Sequence, residues 1–418
     1  MAVFAIGLWG LLVSSLVVAQ ANDKLVRSDP LTVSEAQKIA ANHQSLKSFV
    51  VLDNLKVLGV ESAAALAQCK GQLSLKGLVE ITPEVAEALA AHEGELALDG
   101  VTSLTEEAAV KLGANVGVLS LNQLKPTAKI LRALSKQNGL LRLNGIESLS
   151  SVETEALSQH HGTLELNGLK SLTSESAGLL VASKSNLSLN GIPELTPEVQ
   201  HILGRHSKSL SLDRLKVLSE VTLAQKLANQ ETSIDLGMLD ETNLDCLKAL
   251  VNRRFGLSLG LKQLSIEQAR ILSTHNVSLS LPRVRRVSDE VVGEILKTKA
   301  KISMPGLEEI SNPALARLLV IQNASVLYFP NMKQLSLEIA RELAKADTNL
   351  VLSGLVEISD EVVTELSAHL RTLNLGQITT LSDKAAKSLA EHKGKIHMKS
   401  LRDISPESLE LLEGKLVR

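Results

Sequence analysis

Pairs of apolar residues separated by one other residue recur along almost the whole chain. If the first apolar residue of each pair is taken as an anchor, eleven of the fifteen steps between anchors are 23 residues long, and the others are 22, 24, 22 and 25. The alternation within a pair is typical of a short strand with one buried face. Such a long internal period predicts stacked coils rather than independent globular domains. The anchors are Val50, Leu73, Leu96, Leu119, Leu141, Leu164, Leu187, Leu210, Ile234, Leu257, Leu279, Ile302, Leu327, Leu350, Leu373 and Ile396.

Each predicted strand is followed by a corner and then by a helical pattern. A glycine such as Gly168 occupies many of the corners, where a residue without a Cβ atom can adopt the conformation of a sharp bend. In residues 82–94 the pattern places Val85, Ala86, Leu89 and Ala90 on one helical stripe. Ser and Thr are predicted to cap the helices at their N-termini. These cap candidates are Thr82, Thr105, Thr173, Thr196, Ser219, Ser265, Ser288, Ser336, Ser359, Ser382 and Ser405.

The sequence LELNGLKSLT at residues 164–173 has two structural interpretations. Asn167-Gly168 between alternating apolar residues is a strong signal for a two-residue β-hairpin turn. However, each arm of that hairpin would be about three residues long, and the following helix would have no sheet to cover. A corner between a strand and a helix places every strand beside its equivalent in the next coil, in parallel. We therefore predict a corner.

The repeated order L-x-L-x-G-L-x-x-L-[ST]-x-E resembles the leucine-rich-repeat superfamily, in a short bacterial form of about 23 residues per repeat. The resemblance covers residues 31–418. It implies an α/β solenoid, a horseshoe with a continuous parallel β-sheet on its concave face and short helices on its convex face. The family's internal asparagine ladder is not assumed, because the asparagines directly follow the second strand leucine and are interpreted as turn formers. They are Asn122, Asn144, Asn167 and Asn190.

The chain is predicted to begin with a signal peptide at residues 1–21. This uncharged apolar run ends in a small-x-small pattern, and residues 22–45 would form a linker and an N-terminal half-repeat cap helix. Because Lys and Arg are absent from the run, an uncleaved membrane anchor is the alternative, and membrane contact is expected only in that case. Either outcome predicts a secreted, periplasmic or cell-surface protein.

The remaining residues, 46–418, would form about 16 coils. At their end, Leu416 and Val417 would either form an edge strand that supports self-association or fray.

Composition narrows the range of partners. The 44 Lys and Arg balance 46 Asp and Glu, so no overall field attracts nucleic acid. The repeat register places Cys69 and Cys246 about eight coils apart, which is too far for a disulfide, and we predict two buried or free thiols.

The sequence contains no zinc-protease motif, no phosphate-binding loop and no dithiol motif. H-E-x-x-H, G-x-x-x-x-G-K-[ST] and C-x-x-C are all absent, and no enzymatic activity and no cofactor are predicted. Histidines recur at the ends of successive helices, where the helix dipole favours them, and we interpret them as structural rather than as a metal ladder. They are His92, His160, His161, His206, His275, His369 and His392.

Two groups of residues are candidates for ligand binding. The outward positions of the predicted strands and corners supply Arg142, Asn144, Glu165, Asn167 and Tyr328 among mostly small neutral residues. A basic group with Arg283, Arg285 and Arg286, together with Arg253, Arg254 and Lys262, could bind an anionic polymer. The alternative is a solvated corner balanced by acidic neighbours, namely Asp240, Glu241, Asp245, Asp289 and Glu290.

These features predict a non-enzymatic extracytoplasmic binding scaffold, most simply one that engages a protein through the concave face. The alternatives are a cell-surface or cell-wall polysaccharide-binding protein of the bacterial envelope and a structural, self-associating envelope protein. The expected partner is thus an unknown protein or a surface glycan.

Overall fold

The structure, a computed structural model, describes residues 30–231, 234–322 and 326–417. The predicted signal peptide at residues 1–21 lies outside these ranges. The chain divides into two compact units: unit 1 runs to Leu169 and includes Ala182–Leu187, and unit 2 comprises Lys170–Val181 and Ser188–Arg418.

Short helices of six to ten residues recur through the described residues. The first is held at its N-terminus by a capping box, in which Thr32 and Glu35 bond each other's backbone N–H groups. The helices are α1 (Val33–Asn42), α2 (Val60–Leu66), α3 (Pro83–Ala90), α4 (Glu106–Leu112), α5 (Ala128–Leu134), α6 (Ser151–Leu157), α7 (Ser174–Ala182), α8 (Pro197–Leu203), α9 (Val221–Ala228), α10 (Leu244–Val251), α11 (Ile266–Leu272), α12 (Asp289–Ile295), α13 (Pro313–Gln322), α14 (Leu337–Leu343), α15 (Asp360–Ser367), α16 (Asp383–Ala390) and α17 (Pro406–Leu411).

The strands that alternate with these helices are only two or three residues long. They are β1 (Phe49–Val51), β2 (Gln72–Ser74), β3 (Glu95–Ala97), β4 (Val118–Ser120), β5 (Leu140–Arg142), β6 (Thr163–Glu165), β7 (Asn186–Ser188), β8 (Leu210–Ser211), β9 (Val217–Leu218), β10 (Glu241–Thr242), β11 (Leu257–Ser258), β12 (Ser278–Ser280), β13 (Lys301–Ser303), β14 (Val326–Tyr328), β15 (Asn349–Val351), β16 (Leu373–Asn374), β17 (Ile396–His397) and β18 (Leu416–Val417).

In unit 1 the predicted anchors face one another across a parallel sheet. Leu141 pairs with Leu119 on one side and with Leu164 on the other, and strands β1 to β6 follow one another in chain order. Consecutive helices α1 to α6 pack in the same order. Asn167-Gly168 therefore turns a corner after β6, and the hairpin interpretation is excluded because Leu164 pairs in parallel with the preceding coil.

Unit 2 has the same architecture. Its described strands include the pair β9–β10 and the groups β11 to β13 and β14 to β18, all parallel. Leu279 pairs with Leu257 and with Ile302, and Leu350 pairs with Leu327, so the predicted anchors are in register within each group. Leu416 and Val417 form an edge strand that pairs with β17 of the same chain. Both units confirm the predicted α/β solenoid of short helices and parallel strands.

The helices begin where the cap candidates predict, with one exception. Val85 N–H donates to Thr82 Oγ1 at 3.4 Å, and nine further candidates accept the equivalent bond. Ser219 was wrongly assigned, because α9 begins after Glu220 without a side-chain cap. The Ser219 N–H instead donates to Gln200 Oε1 at 2.9 Å.

Leucines from the strands, corners and helices form the core of each coil. Leu164, Leu166 and Leu169 are fully buried. The predicted helical stripe is confirmed in α3, where Val85, Ala86, Leu89 and Ala90 are all buried. Burying a leucine side chain contributes about 1.5–3 kcal/mol, so the short elements are stabilised by neighbouring coils rather than by their own length.

Glycine is required by close packing between coils rather than by an unusual backbone conformation. Among the described glycines only Gly414 has a positive φ, so the sharp-bend explanation for the corner glycines is wrong. A Cβ atom on Gly168 would lie 2.0 Å from the Asn144 carbonyl oxygen, and one on Gly162 would lie 1.8 Å from the Gly139 carbonyl oxygen. Both distances are far inside van der Waals contact, so each glycine allows two backbones to approach.

The substitution Gly162→Ala tests this packing. It should lower the free energy of unfolding by about 1–3 kcal/mol, because the added methyl group overlaps a backbone oxygen that has little freedom to move. Urea unfolding followed by circular dichroism measures the change.

Gly178→Ala in α7 is the matched control. A Cβ atom there meets nothing within 4 Å, and the change should raise stability by about 0.5–1 kcal/mol through helix propensity. If the two substitutions had equal effects, the packing explanation would fail.

Candidate functional site

A charged group lies on the strand side of unit 1. Arg142 on β5 donates from Nε to Glu165 Oε2 on β6 at 2.8 Å and from Nη1 to Glu95 Oε1 on β3 at 3.0 Å. Asn144 Nδ2 also donates to Glu165 Oε2, at 3.5 Å. Because Glu95 lies two strands from Arg142, the guanidinium spans β4. We call Glu95, Arg142 and Glu165 the charged triad.

The charged triad keeps the arginine ionised. Burial alone would lower the pKa of Arg142, but the hydrogen bond and charge of Glu165, followed by those of Glu95, raise that pKa above its usual value. The sequence analysis identified Arg142 and Glu165 but missed Glu95. Residues on either side of an anchor point to the same face of a strand, so the position before each anchor would have revealed it.

The corner asparagines form a ladder between coils, which corrects their interpretation as simple turn formers. In each rung a side-chain oxygen accepts a hydrogen bond from a backbone N–H of the next coil. Asn144 and Asn167 belong to this ladder, so the Asn144 oxygen predicted to bind a ligand is already used. In every rung a backbone N–H donates to an Oδ1 atom. The donor and acceptor residues are Lys76 to Asp53 at 3.1 Å, Asn122 to Asp99 at 3.1 Å, Asn144 to Asn122 at 2.8 Å, Asn167 to Asn144 at 2.9 Å and Asp213 to Asn190 at 3.0 Å.

An exposed apolar patch lies on strand β14 of unit 2. The side chains of Val326 and Tyr328 are 40% and 54% exposed, and they flank the buried anchor Leu327. Tyr328 pairs in register with Val351 on β15, which is partly exposed. We call Val326, Tyr328 and Val351 the β14 patch.

The predicted basic group is divided between two environments. Arg283, Arg285 and Arg286 lie together at a corner of unit 2 and line one cavity. Arg253 is buried instead, and its Nη1 donates to the carbonyl oxygens of Leu227 and Gln230 at 3.0 and 2.9 Å. Burial lowers the pKa of Arg253. Its role is structural.

The corner arginines have acidic partners, as the solvated-corner alternative requires, although only one of the expected acids takes part. Asp240 contacts Arg283 Nη1 at 2.9 Å, while the other two partners are Glu308 and Glu309. Arg285 Nη1 lies 3.3 Å from Glu308, and Arg286 Nε lies 3.1 Å from Glu309.

A buried polar side chain follows the helix in many coils, and we call this series the helix-end ladder. These side chains face the C-terminal backbone carbonyls of the preceding coil, which would otherwise be buried without donors. The histidines were expected in the last turn of their own helices, but they lie beyond those helices, and His161 is exposed. The series includes His92, Asn115, His160, Ser185, Arg253, His275 and His392. Gln137 and Gln230 occupy the same position in their coils, but they donate to carbonyl oxygens beside the strands, those of Gly117 and Leu210.

Two rungs illustrate the chemistry of the helix-end ladder. Asn115 Nδ2 donates to the carbonyl oxygens of Ala90 and His92 at 3.2 and 2.7 Å. In the rung of His160, ring Nδ1 faces the Ser135 carbonyl oxygen at 3.4 Å and Nε2 faces that of Thr163 at 3.2 Å. The non-histidine members share the spacing of the histidines, which is the sequence signal that could have revealed them.

The other predicted functional groups have limited chemistry. Cys69 and Cys246 are free and buried, as predicted, and burial raises the pKa of Cys246 to about 11, so its thiolate is disfavoured. Within the described ranges no three His, Cys, Asp or Glu side chains form a group that could ligate a metal ion. None of the described helices has both the length and the apolar character needed to cross a bilayer.

Comparison with known proteins identifies similar folds only. No family model and no curated protein matches the chain. Similar solved structures include a leucine-rich-repeat protein of Leptospira interrogans, with 18% identity and a TM-score of 0.41 over 88% of this chain and 100% of that one. The Drosophila Toll–Spätzle complex has 15% sequence identity and a TM-score of 0.44, and the match covers 84% of this chain and 53% of the chain in that complex. An internalin of Listeria monocytogenes has 13% sequence identity and a TM-score of 0.33, and the match covers 92% of this chain and 93% of the internalin. At this level of similarity no ligand is transferred from them.

Acidification should weaken the helix-end ladder. Burial lowers the pKa of His160, with its carbonyl contacts and the charge of His161 as smaller influences, so the folded chain binds a proton less readily than the unfolded chain. The unfolded state therefore takes up protons first as the pH falls through about 6.5, and stability decreases from that pH down to the folded pKa.

The variant His160→Gln, which copies the residue at Gln137, should reduce the loss of stability between about pH 7 and pH 5. Urea unfolding at several pH values measures the free energy of unfolding of each variant as a function of pH. His161→Gln is the control: that side chain is exposed and its charge is the smallest influence on the pKa of His160, so its replacement should change the pH dependence much less than His160→Gln does. Identical pH profiles for the wild type and His160→Gln would contradict the prediction.

Proposed function

We propose that this protein is a non-enzymatic extracytoplasmic scaffold that binds a protein partner through the strand side of its coils, the concave face of the predicted horseshoe. The observation that carries the proposal is the β14 patch. Tyr328 and Val326 are exposed side by side on a strand, although the chain has only six aromatic residues in all. Tyr is enriched at the energetic centres of protein interfaces because it combines a large apolar ring with a polar tip.

The backbone of the β14 patch is fixed before any partner arrives. Strand β14 pairs with β15 over three positions, and the anchor Leu327 is buried beneath it. A side chain held on such a rigid element loses little conformational entropy on binding. The patch therefore supports a preformed contact surface.

The charged triad supplies a polar element on the strand side of unit 1. Arg142 and Glu165 are partly buried and oriented by each other, so their remaining hydrogen-bonding capacity is directed. Such groups add specificity to an interface more than affinity. A partner that contacts this region should present complementary polar groups.

A protein partner is favoured over a glycan by the state of the strand-side hydroxyls. Ser74, Ser120 and Ser211 donate from Oγ to Asp53, Asp99 and Asn190 at 2.6, 2.5 and 2.7 Å. These hydroxyl protons are already used within the fold. A sugar would have to compete for them.

The extracytoplasmic part of the proposal rests on the apolar N-terminal run and its small-x-small pattern. The non-enzymatic part is supported by the absence of H-E-x-x-H, phosphate-binding-loop and C-x-x-C motifs from the sequence. Residues 256–260 match G-x-S-x-G, but Ser258 lies on strand β11 rather than in a sharp turn between a strand and a helix, where a nucleophilic serine of that motif would lie.

Site-specific photo-crosslinking tests the proposal. A photoreactive phenylalanine derivative at position 328 should capture a protein partner from extracts of the source cells. The same group at Ile321, which is 76% exposed on the preceding helix α13, should not. Mass spectrometry identifies the captured protein. Capture from position 321 alone, or from neither position, would contradict binding through the strand side.

With the captured partner purified, Tyr328→Ser should weaken its binding by about tenfold or more, as expected for an aromatic anchor. Calorimetric titration measures the dissociation constant. Ile321→Ser is the matched control and should leave it unchanged.

A further inference from the structure

The coil that begins at anchor Leu257 has a shortened corner. The step from Leu257 to Leu279 is 22 residues, because Gly260 alone lies between Leu259 and Leu261 where most coils have a two-residue turn such as Asn167-Gly168. A Cβ atom on Gly260 would lie 2.1 Å from the Gly237 carbonyl oxygen, so this corner lies tightly against the preceding coil. The missing residue leaves a recess between its neighbours.

Arg283 crosses this recess. From the following coil, its Nη1 reaches Asp240 Oδ1 at 2.9 Å and the Met238 carbonyl oxygen at 3.2 Å, two coils back. Lys262 reaches the same Asp240 oxygen at 3.2 Å. The hydrogen bond from Lys262, with the charges of Arg283 and Lys262, lowers the pKa of Asp240 and keeps it ionised. One carboxylate thus serves two cations.

The recess opens into a cavity of about 1180 Å³ in unit 2. That volume exceeds the usual range for a site shaped around one small molecule, about 300–1,000 Å³, and suits an extended segment. None of its lining residues is aromatic. The lining comprises Lys262, Gln263, Leu264, Pro282, Arg283, Arg285, Arg286, Val287, Ser288, Gly306, Glu308, Glu309 and Asn331.

Positive charge is in excess around the cavity. Arg285, Glu308 and Lys333 occupy successive coils, with backbone hydrogen bonds from Glu308 to Arg285 and from Lys333 to Glu308. Glu308 contacts both basic side chains, at 3.3 and 2.9 Å, and these contacts, with Lys333 first, lower its pKa. Five basic side chains and three carboxylates therefore surround the cavity. The basic residues are Lys262, Arg283, Arg285, Arg286 and Lys333, and the acidic residues are Asp240, Glu308 and Glu309.

Arg285 and Arg286 are the side chains best placed to contact a ligand. They are 71% and 69% exposed, and each contacts a glutamate through one nitrogen, Nη1 of Arg285 and Nε of Arg286. A guanidinium carries five N–H donors, so each has donors left for a second carboxylate. The charge excess favours an added anion over an added cation.

We propose that the cavity around Arg285 and Arg286 binds an acidic peptide segment of a protein partner, with carboxylates on the two guanidinium groups and apolar side chains against Leu264, Pro282 and Val287. The mixed lining of cations and aliphatic groups favours a peptide over a polysaccharide, whose rings would find no aromatic surface. The site extends the proposed function to a second surface, and its test does not depend on the β14 patch.

Fluorescence anisotropy with the full chain tests the site. The probe is a fluorescein-labelled peptide of alternating glutamate and leucine, and the matched control peptide has every glutamate replaced by glutamine. The glutamate peptide should bind saturably, and the glutamine peptide should bind at least about tenfold more weakly, because its amides form no ion pairs. Raising sodium chloride from about 0.05 to about 0.5 M should weaken binding of the glutamate peptide by a similar factor.

The double variant Arg285→Gln and Arg286→Gln should reduce affinity for the glutamate peptide about tenfold or more. Arg270→Gln is the control, because Arg270 is an exposed arginine of α11 that pairs with Glu294 and lies outside the cavity. Circular dichroism verifies that each variant is folded. Tyr328→Ser should leave peptide binding unchanged, which separates this site from the proposed function.

Three outcomes would overturn the assignment. The first is equal binding of the glutamate and glutamine peptides. The second is an equal loss of affinity in Arg270→Gln and in the double variant. The third is saturable binding of heparin, dependent on Arg285 and Arg286, without binding of the glutamate peptide, which would identify an anionic polysaccharide as the ligand instead.

Discussion

Backbone carbonyls at the end of each short helix must find hydrogen-bond donors inside the protein, and the stacking of coils depends on meeting this requirement. A buried carbonyl without a donor costs about 1–3 kcal/mol, which is comparable to the burial of a leucine. The helix-end ladder supplies those donors from the following coil. His92 faces the Ala67 carbonyl oxygen and Arg253 donates to that of Leu227, so the position requires a donor of suitable reach rather than one residue type.

The same requirement shapes the other edges of a coil. At the corners, the asparagine and aspartate oxygens accept backbone N–H groups of the next coil, and glycines such as Gly168 let two backbones approach within a distance that a methyl group would prevent. Most polar side chains between coils are therefore engaged in holding the stack together. Residues that remain available for a partner are those that depart from the repeated pattern.

Two departures illustrate how a repeat protein can acquire function. The shortened corner at Gly260 opens a recess that Arg283 spans, and Arg285 and Arg286 beside it are exposed to solvent. The β14 patch places Tyr328 at a position where most other coils carry a small or polar residue. In both cases the regular coils hold the backbone in place, and the irregular coil supplies the exposed side chains that are proposed to contact a partner. The two proposed sites are therefore independent of each other.

The sequence alone determined the features that depend on local periodicity: the parallel pairing of anchors such as Leu141 and Leu164, the α3 stripe, and the caps that follow from residues three positions apart. Only the tertiary structure decided which side chains meet across coils. It joined Glu95 to Arg142 across an intervening strand and buried Arg253 away from the basic corner. It also replaced the Ser219 cap with a contact to Gln200. The repeat pattern within one coil determines the face to which each side chain points. The residue that this side chain contacts in another coil depends on the distance between the two backbones and on local insertions and deletions, and the pattern of a single coil carries no information about either.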